Sequence, residues 1–562
     1  FTTQFGARIN MFASKNYLNS YEIRDYYNSD LIKKSVPLND LTESRDITRE
    51  YTLNNLLNYS TVFEDNHALG ILVGYSQIKN EGDSLSAFRQ GFYNNDIQSI
   101  GQGAGDATKD NDGKELTWGL RSFFGRVNYA FQNKYLFEAN GRYDGSSRFT
   151  GNNRYSFFPS FSAGWRLSEE PFWAGIKDQV NEFKIRGSWG KTGNQAVDLY
   201  SYFSTLNLLN YSFNGLPVQA YSQVKMANEN LTWETTTQAN IGLDAQFLNN
   251  KITLSIDYYN KKTDGILLVL PVPGTLGLQA APQNAGRVDN KGWEFNGSYH
   301  NTFGQVGFSG NLNFNININS VVNLAGTGPY ISGTNVDPMF FTGEGYPINS
   351  FWGYKTAGLF QSQEEIDNYP TIAQGIKPGD VKYLDLNGDG IINGDDMTYL
   401  APSFPKYTFG SSLNFTFKRF ALNLLWQGAA KVSTRLSGAL AEMGNQEGFT
   451  HKIYTNNYWT PENVNAEFPR PTKFSLLNIQ SSDRMLIDGS YLRLKNVQLQ
   501  YTIPSDILDQ TFIKGINVYA SGTNLLTFSN LNRWNLDPEI AAGRANYYPQ
   551  TALYTLGLKL QF

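Results

Sequence analysis

Residues 306–319 read VGFSGNLNFNININ: Val306, Phe308, Leu312, Phe314, Ile316 and Ile318 are apolar, and Asn311, Asn313, Asn315, Asn317 and Asn319 stand between them. Successive side chains of a strand point to opposite faces, so this stretch has one oily face and one amide face. Strands of soluble domains average about 5 or 6 residues, whereas a tilted strand that crosses a bilayer needs about 9–11. The long alternating stretch recurs along the chain. The pattern therefore predicts an all-β, transmembrane antiparallel barrel, with apolar residues toward lipid and polar residues toward a wet lumen.

The same alternation places strands at 1–12, 48–63, 67–79, 117–131, 135–147, 154–167, 182–192, 231–248, 251–264, 286–301, 304–319, 405–417, 420–432, 488–503, 514–528 and 551–562, sixteen in all. Turn lengths follow from parity, because a one-residue slip moves every side chain to the other face. Val127, Tyr129 and Phe131 share a face with Tyr135, Phe137 and Ala139, which requires a three-residue turn at 132–134. Phe415 and Phe417 share one with Phe420 and Leu422, which requires two residues, Lys418 and Arg419. A two-residue turn is likewise expected at Asn249 and Asn250. Short connections (132–134, 168–181, 249–250, 418–419, 504–513) alternate with long ones (79–116, 193–230, 265–285, 320–404, 433–487, 529–550), as periplasmic turns alternate with external loops in outer-membrane barrels. Residues 199–213 look strand-like but must stay in a loop, since one more crossing would reverse that alternation.

Composition narrows the picture. Aromatics make up 15% of the 562 residues, enough for aromatic girdles, and no apolar run approaches the roughly 18 residues of a spanning helix. A net charge of -4 gives no case for nucleic acid, and the absence of cysteine removes disulfide and thiolate chemistry. The chain opens inside an alternating pattern at Phe1, as a fragment or nicked chain would, and closes on Phe562 after an amphipathic strand (Tyr554, Leu556, Leu558, Leu560). A terminal aromatic on such a strand resembles the assembly signal of outer-membrane barrels and puts the C-terminus in the periplasm.

One motif carries ion chemistry. Asp385, Asn387, Asp389, the Ile391 carbonyl and Asp396 occupy positions 1, 3, 5, 7 and 12 of an EF-hand-like loop (385–396), with Gly390 at position 6. Asp replaces the usual bidentate Glu at position 12, and the expectation is a structural Ca2+ pinning the external loop 320–404. Elsewhere the signals are weak. Residues 187–192 lack the first glycine of a phosphate-binding loop, Gly101, Gly103 and Gly105 lie in a polar loop, and His67, His300 and His451 are far apart. The carboxylates are scattered and read as loop charge or lumen lining. No nucleophile elbow appears, and no enzyme activity is expected. Trp352, Tyr354, Trp459 and Trp534, in the long loops 320–404, 433–487 and 529–550, are candidates for ligand or lid contact.

Several stretches resemble the SusC/RagA family of TonB-dependent outer-membrane transporters: RVNYAF at 126–131, KYLFEANGRYDGSSRF at 134–149, FPSFSAGWR at 158–166, GSWGKTGN at 187–194, NLTWET at 230–235, DYYNKK at 257–262, NAGRVDNKGWE at 284–294, GDVKYLDLNGD at 379–389, RLKNVQLQY at 493–501 and GTNL at 522–525. The resemblance implies a 22-stranded barrel of which this chain is the C-terminal part, with the N-terminal plug and TonB contact on a separate chain. It also implies a SusD-like surface lipoprotein as a lid, a dimer of such pairs, and active import of a large nutrient, an oligosaccharide before an oligopeptide. The alternatives are a passive, self-closed 16-stranded porin and a soluble glycan-binding β-protein.

Overall fold

The computed structural model describes residues 1–25, 27, 30–269, 272–334, 339–436, 440–441, 451–472, 476–508, 512–539 and 550–562. Sixteen strands form one antiparallel sheet in which each pairs with its sequence neighbours within the sheet. They are β1 (Thr2–Leu18), β2 (Asp40–Phe63), β3 (His67–Gln90), β4 (Asp110–Phe131), β5 (Tyr135–Ser146), β6 (Tyr155–Arg166), β7 (Val180–Asn194) and β8 (Glu234–Phe247). The second half comprises β9 (Ile252–Asp264), β10 (Arg287–Phe303), β11 (Val306–Asn323), β12 (Tyr407–Phe417), β13 (Phe420–Ala430), β14 (Tyr491–Thr502), β15 (Gly515–Ser529) and β16 (Leu553–Gln561). Every strand expected from the alternation is present. No described helix is long and apolar enough to cross a membrane, a test that does not bear on strands.

The faces separate as the alternation requires. Phe295 pairs with Phe314 and Trp293 with Ile316 on the outer side, while Glu294 pairs with Asn315 and Asn296 with Asn313 on the inner. Outer side chains have no protein over them: Leu312 is 56% and Ile318 44% exposed, and Phe314 and Ile316 are only partly covered, by their strand neighbours. Rings run across neighbouring strands, Tyr258 to Trp293 to Phe295 to Phe314 to Tyr407, at centroid distances of 5.0–6.2 Å. So continuous an apolar band is incompatible with water and matches hydrocarbon.

Turn chemistry fixes the register. Phe131 faces Tyr135 across a three-residue turn, and Gln132 and Asn133 take positive φ. The turn after β2 is built alike, with Glu64 and Asp65 at positive φ between Phe63 and His67. Phe417 faces Phe420 across the expected two residues. The turn after β8 is longer than expected: Phe247 pairs with Ile252, and Leu248, Asn249 and Asn250 all take positive φ. The parity is unchanged, because the outermost pair opens and adds one residue to each side.

Two loop boundaries are corrected. Residues 79–90 and 110–116, expected within the loop 79–116, belong to β3 and β4, and residues 13–18 and 40–47 extend β1 and β2. Here the apolar alternation fades but the backbone ladder continues, since main-chain pairing needs no particular side chain. At 24, 24 and 22 residues, β2, β3 and β4 rise well beyond the bilayer on the long-loop rim. Residues 199–213 stay outside the barrel as expected: Leu206–Phe213 pairs only with Leu216–Gln223. The loop 320–404 begins and ends slightly later, as 324–406, and 433–487 is bounded by β13 and β14 at 431–490.

Gln561 pairs with Gly515 at the start of β15, on the short-turn rim, whereas Thr2 pairs with Leu56, seven residues before β2 ends at Phe63. Among the described residues no ladder joins β1 to β16, so the self-closed barrel required by the porin alternative is not formed.

Candidate functional site

The polar face of the sheet lines the lumen in two sectors. Across β7, β8 and β9 the lining is charged. Arg186 donates from Nε to Asp244 Oδ2 at 3.0 Å and from Nη1 and Nη2 to Asp257 at 2.6 and 2.7 Å, and Lys184 sits 2.8 Å from Asp244. Asp257 is two strands away from Arg186, which reaches it by lying over Gly242. A Cβ at Gly242 would come within 2.5 Å of Asp257 Oδ1 and 2.6 Å of Arg186 Cζ. The glycine is the space the guanidinium occupies. Two cations and two carboxylates balance, so the cluster fixes the wall without a strong net field. Beside it, nearer the short-turn rim, the inner wall forms a dish of about 830 Å3 floored by residues such as Leu136, Gly164 and Ser188.

From β10 to β14 the lining is mainly amide and hydroxyl, with Glu294 on β10 as a charged exception: Asn296, Asn313 and Asn315, then Ser412, Asn414 and Asn423, then Gln498. These groups bond lightly to one another, Asn311 to Ser412 at 3.2 Å and Asn414 to Ser309 at 3.4 Å. They can donate and accept toward whatever fills the lumen.

Above the wall, the loops 324–406 and 431–490 fold together. Asp380, fully buried, is ion-paired to Arg470 with its Nε 2.7 Å away, and accepts from Arg470 Nη2 at 3.0 Å, from Asn478 Nδ2 at 2.9 Å and from the Lys377 amide at 2.8 Å. Tyr354 bonds through its own backbone to Ser481 and Asp483, at 2.8 and 3.0 Å. The Tyr383 hydroxyl donates to the Leu477 carbonyl at 2.7 Å, and burial pushes its pKa far up, so it stays a donor at any physiological pH. Trp459 donates to Gln361 Oε1 at 2.9 Å and packs on Gly379, whose φ of +91 and missing Cβ make room for the indole.

A third loop is tied down from the barrel wall. Arg493, almost fully buried on β14, donates to Thr527 Oγ1 at 2.9 Å and pairs with Asp537 at 2.5 Å and with Glu539. Lys495 reaches the same Glu539 at 2.7 Å. Arg533 donates to Glu467 Oε1 at 2.8 Å and pins this loop to the neighbouring one. That guanidinium holds the Glu467 carboxyl below the usual carboxylate range, outweighing the opposing effect of burial.

The four aromatic candidates are placed as follows. Tyr354, Trp459 and Trp534 are 3%, 8% and 6% exposed and are spent on loop cores. Trp534 meets Phe468 edge-on at 5.8 Å. Trp352 is half-buried, stacked on Phe341 at 4.1 Å, and of the four it keeps the most surface.

The 385–396 loop winds as its spacing requires, with Gly388 and Gly390 at positive φ. Asp385 accepts from the amides of Gly388 and Gly390 at 2.7 and 2.8 Å, Asp389 from Ile391 at 2.8 Å, and Asp396 from Leu386 and Asn393 at 2.8 and 2.9 Å. Burial pushes the Asp396 carboxyl up, but the amides of Asn393, Leu386 and Asn387 more than offset it, so its pKa lies below the usual range. The oxygens are those a hard cation takes. They are turned on the loop's own amides, and among the described residues no three His, Cys, Asp or Glu side chains converge as a metal set.

Residues 1–525 match the family described as TonB dependent receptor-like, beta-barrel. The chain belongs to the TonB-dependent receptor family. It is 32% identical over 542 residues to TonB-dependent receptor P26 of Formosa agariphila, covering 92% of this chain and 53% of that protein. It is 31% identical over 476 residues to TonB-dependent receptor SusC of Bacteroides thetaiotaomicron, covering 79% of this chain and 44% of SusC. A solved structure, of the RagAB peptide transporter, superposes with a TM-score of 0.82 at 25% identity, over 100% of this chain and 60% of the other. The TonB-dependent receptor described here is thus of SusC/RagA type, its place is the bacterial outer membrane, and it spans about half the length of the curated relatives it matches.

Arg186, Asp244, Asp257, Arg493, Asp537 and Glu539 were not singled out from sequence as interacting groups. Asp257, Asp380 and Arg493 fall inside stretches that resemble the family, which was the available signal. Nothing local marks Gly242.

Proposed function

We propose that the whole receptor imports a large, uncharged, hydroxyl-rich nutrient, an oligosaccharide, across the outer membrane, energised through TonB and assisted by a SusD-type lipoprotein lid. The observation that supports this cargo is the amide and hydroxyl sector of the lumen wall from β10 to β14. Asn, Gln and Ser side chains offer paired donors and acceptors to hydroxyls without the desolvation cost of fixed charge. Uptake of defined oligosaccharides and of size-matched oligopeptides by cells carrying the full-length receptor with its lid tests the reading. Saccharide uptake that is lost on removing TonB is expected; uptake of peptides alone would overturn it. Peptide import is the second reading, favoured by the likeness to the RagAB peptide transporter.

For the 385–396 loop the proposal is a structural Ca2+, held by Asp385, Asn387, Asp389, the Ile391 carbonyl and Asp396. Its support is the fit of donor type and spacing. The ion would replace part of the loop's internal hydrogen bonding.

A further inference from the structure

We propose that the lipid-facing wall between β5 and β8 holds one glycerophospholipid of the periplasmic leaflet, with an acyl chain in a groove of the wall. Four residues lie in one row across these strands: Phe137 pairs with Ala163, Ala163 with Gly187, and Gly187 with Ile241. The two middle positions are the smallest side chains available, while the outer two, Phe137 and Ile241, are 52% and 67% exposed and stand up as walls. Toward the long-loop rim the dip is closed by Phe161 and Trp189, stacked at 6.2 Å. Toward the short-turn rim it meets Tyr135 and Trp165, stacked at 6.3 Å. The dip is open on its outer side and holds about 610 Å3, within the size range of small-molecule sites.

The outer membrane supplies the occupant. This surface is continuous with the apolar band that meets hydrocarbon, and a void there would forfeit contacts that a lipid chain regains. Depth selects the leaflet: Ala163 lies three residues before the end of β6 at Arg166, so the groove opens about 10 Å from the short-turn rim. Charge at that rim suits a phosphate headgroup. Glu170 accepts from the Tyr135 hydroxyl at 2.6 Å and from Trp165 Nε1 at 3.0 Å, and these fix its position. Lys134 is paired with it at 3.5 Å, and the 19% of its side chain that stays exposed is the part a phosphate would meet. Beside it Trp173 stacks on Phe183 at 5.1 Å and leaves Phe172 68% exposed, a shelf at headgroup level.

Filling the groove tests the proposal. A Cβ at Gly187 meets nothing closer than 3.8 Å, so Gly187→Leu together with Ala163→Leu adds bulk to the groove alone. Gly297→Leu, on the lipid face of β10 with nothing closer than 3.9 Å, is the matched control away from it. The full-length receptor and both variants are extracted, delipidated stepwise in detergent and weighed by native mass spectrometry. Heat-modifiable mobility on gels shows that each barrel is folded. One phospholipid is expected to persist on the wild type and on Gly297→Leu, with at least tenfold less on the double variant. Equal retention by all three, loss of all lipid from the wild type under the mildest wash, or retention of lipopolysaccharide in place of phospholipid would each overturn the proposal.

Discussion

Gly242 shows how much a single residue decides on the lumen wall. Gly242→Val puts side-chain atoms where Arg186 crosses to Asp257, and overpacking of that kind costs about 1–3 kcal/mol. A lower unfolding temperature is expected for it, and almost none of that loss for Gly297→Val on the opposite face. Arg493→Ala would leave Asp537 and Glu539 without their buried partner, a loss of about 3–5 kcal/mol for such pairs. Its expected readout is faster proteolysis after residue 529 with an intact barrel. Calorimetric titration with Ca2+ checks the 385–396 loop: saturable binding lost in Asp385→Ala and Asp389→Ala is expected, and absence of binding by the native loop would retire the ion. These residue-scale contacts were hardly legible in the sequence. Arg186 and Asp257 are 71 positions apart and meet only because β8 lies between their strands. The 385–396 donors could be read because their spacing is local.

Elements were far more legible, because lipid on one side and a wet lumen on the other impose a strict period of two. The strands and the parity of their turns follow from that period, and so does the exclusion of residues 199–213 from the barrel. What escaped were the parts beyond the bilayer, where β2, β3 and β4 continue with polar residues on both faces and the period vanishes. Inserting one glycine into the 132–134 turn would force β5 to present its polar face to lipid, and loss of the heat-modifiable barrel is expected. The same insertion within 91–109, outside any ladder, is expected to be silent. Between elements, the Arg533–Glu467 contact sets a pH dependence. Glu467 has a lowered pKa in the folded loops, so its contribution is complete above the ordinary carboxylate pKa of about 4.3 and is lost only as pH falls through the lowered value. Limited proteolysis of 451–472 is therefore expected to be unchanged from pH 7 to pH 5 and to quicken below about pH 4.

At the scale of the whole molecule, one wall carries three environments: hydrocarbon outside, two polar sectors inside, and a folded body of external loops above. Family membership agrees with this layout, and the proposed import of an oligosaccharide rests on the inner face. All of it depends on which side of the strands meets lipid. This chain has no cysteine, so, with any cysteine in the rest of the receptor replaced, single cysteines can be placed along β11 from 308 to 317 and spin-labelled in the full-length receptor in bilayers. Labels at Phe308, Leu312, Phe314 and Ile316 are expected to collide with oxygen dissolved in the lipid, and those at Ser309, Asn311, Asn313 and Asn315 with a water-soluble nickel reagent, alternating residue by residue. Equal access to both reagents at neighbouring positions, or oxygen collisions greatest at the asparagines, would contradict the membrane assignment and the import reading with it.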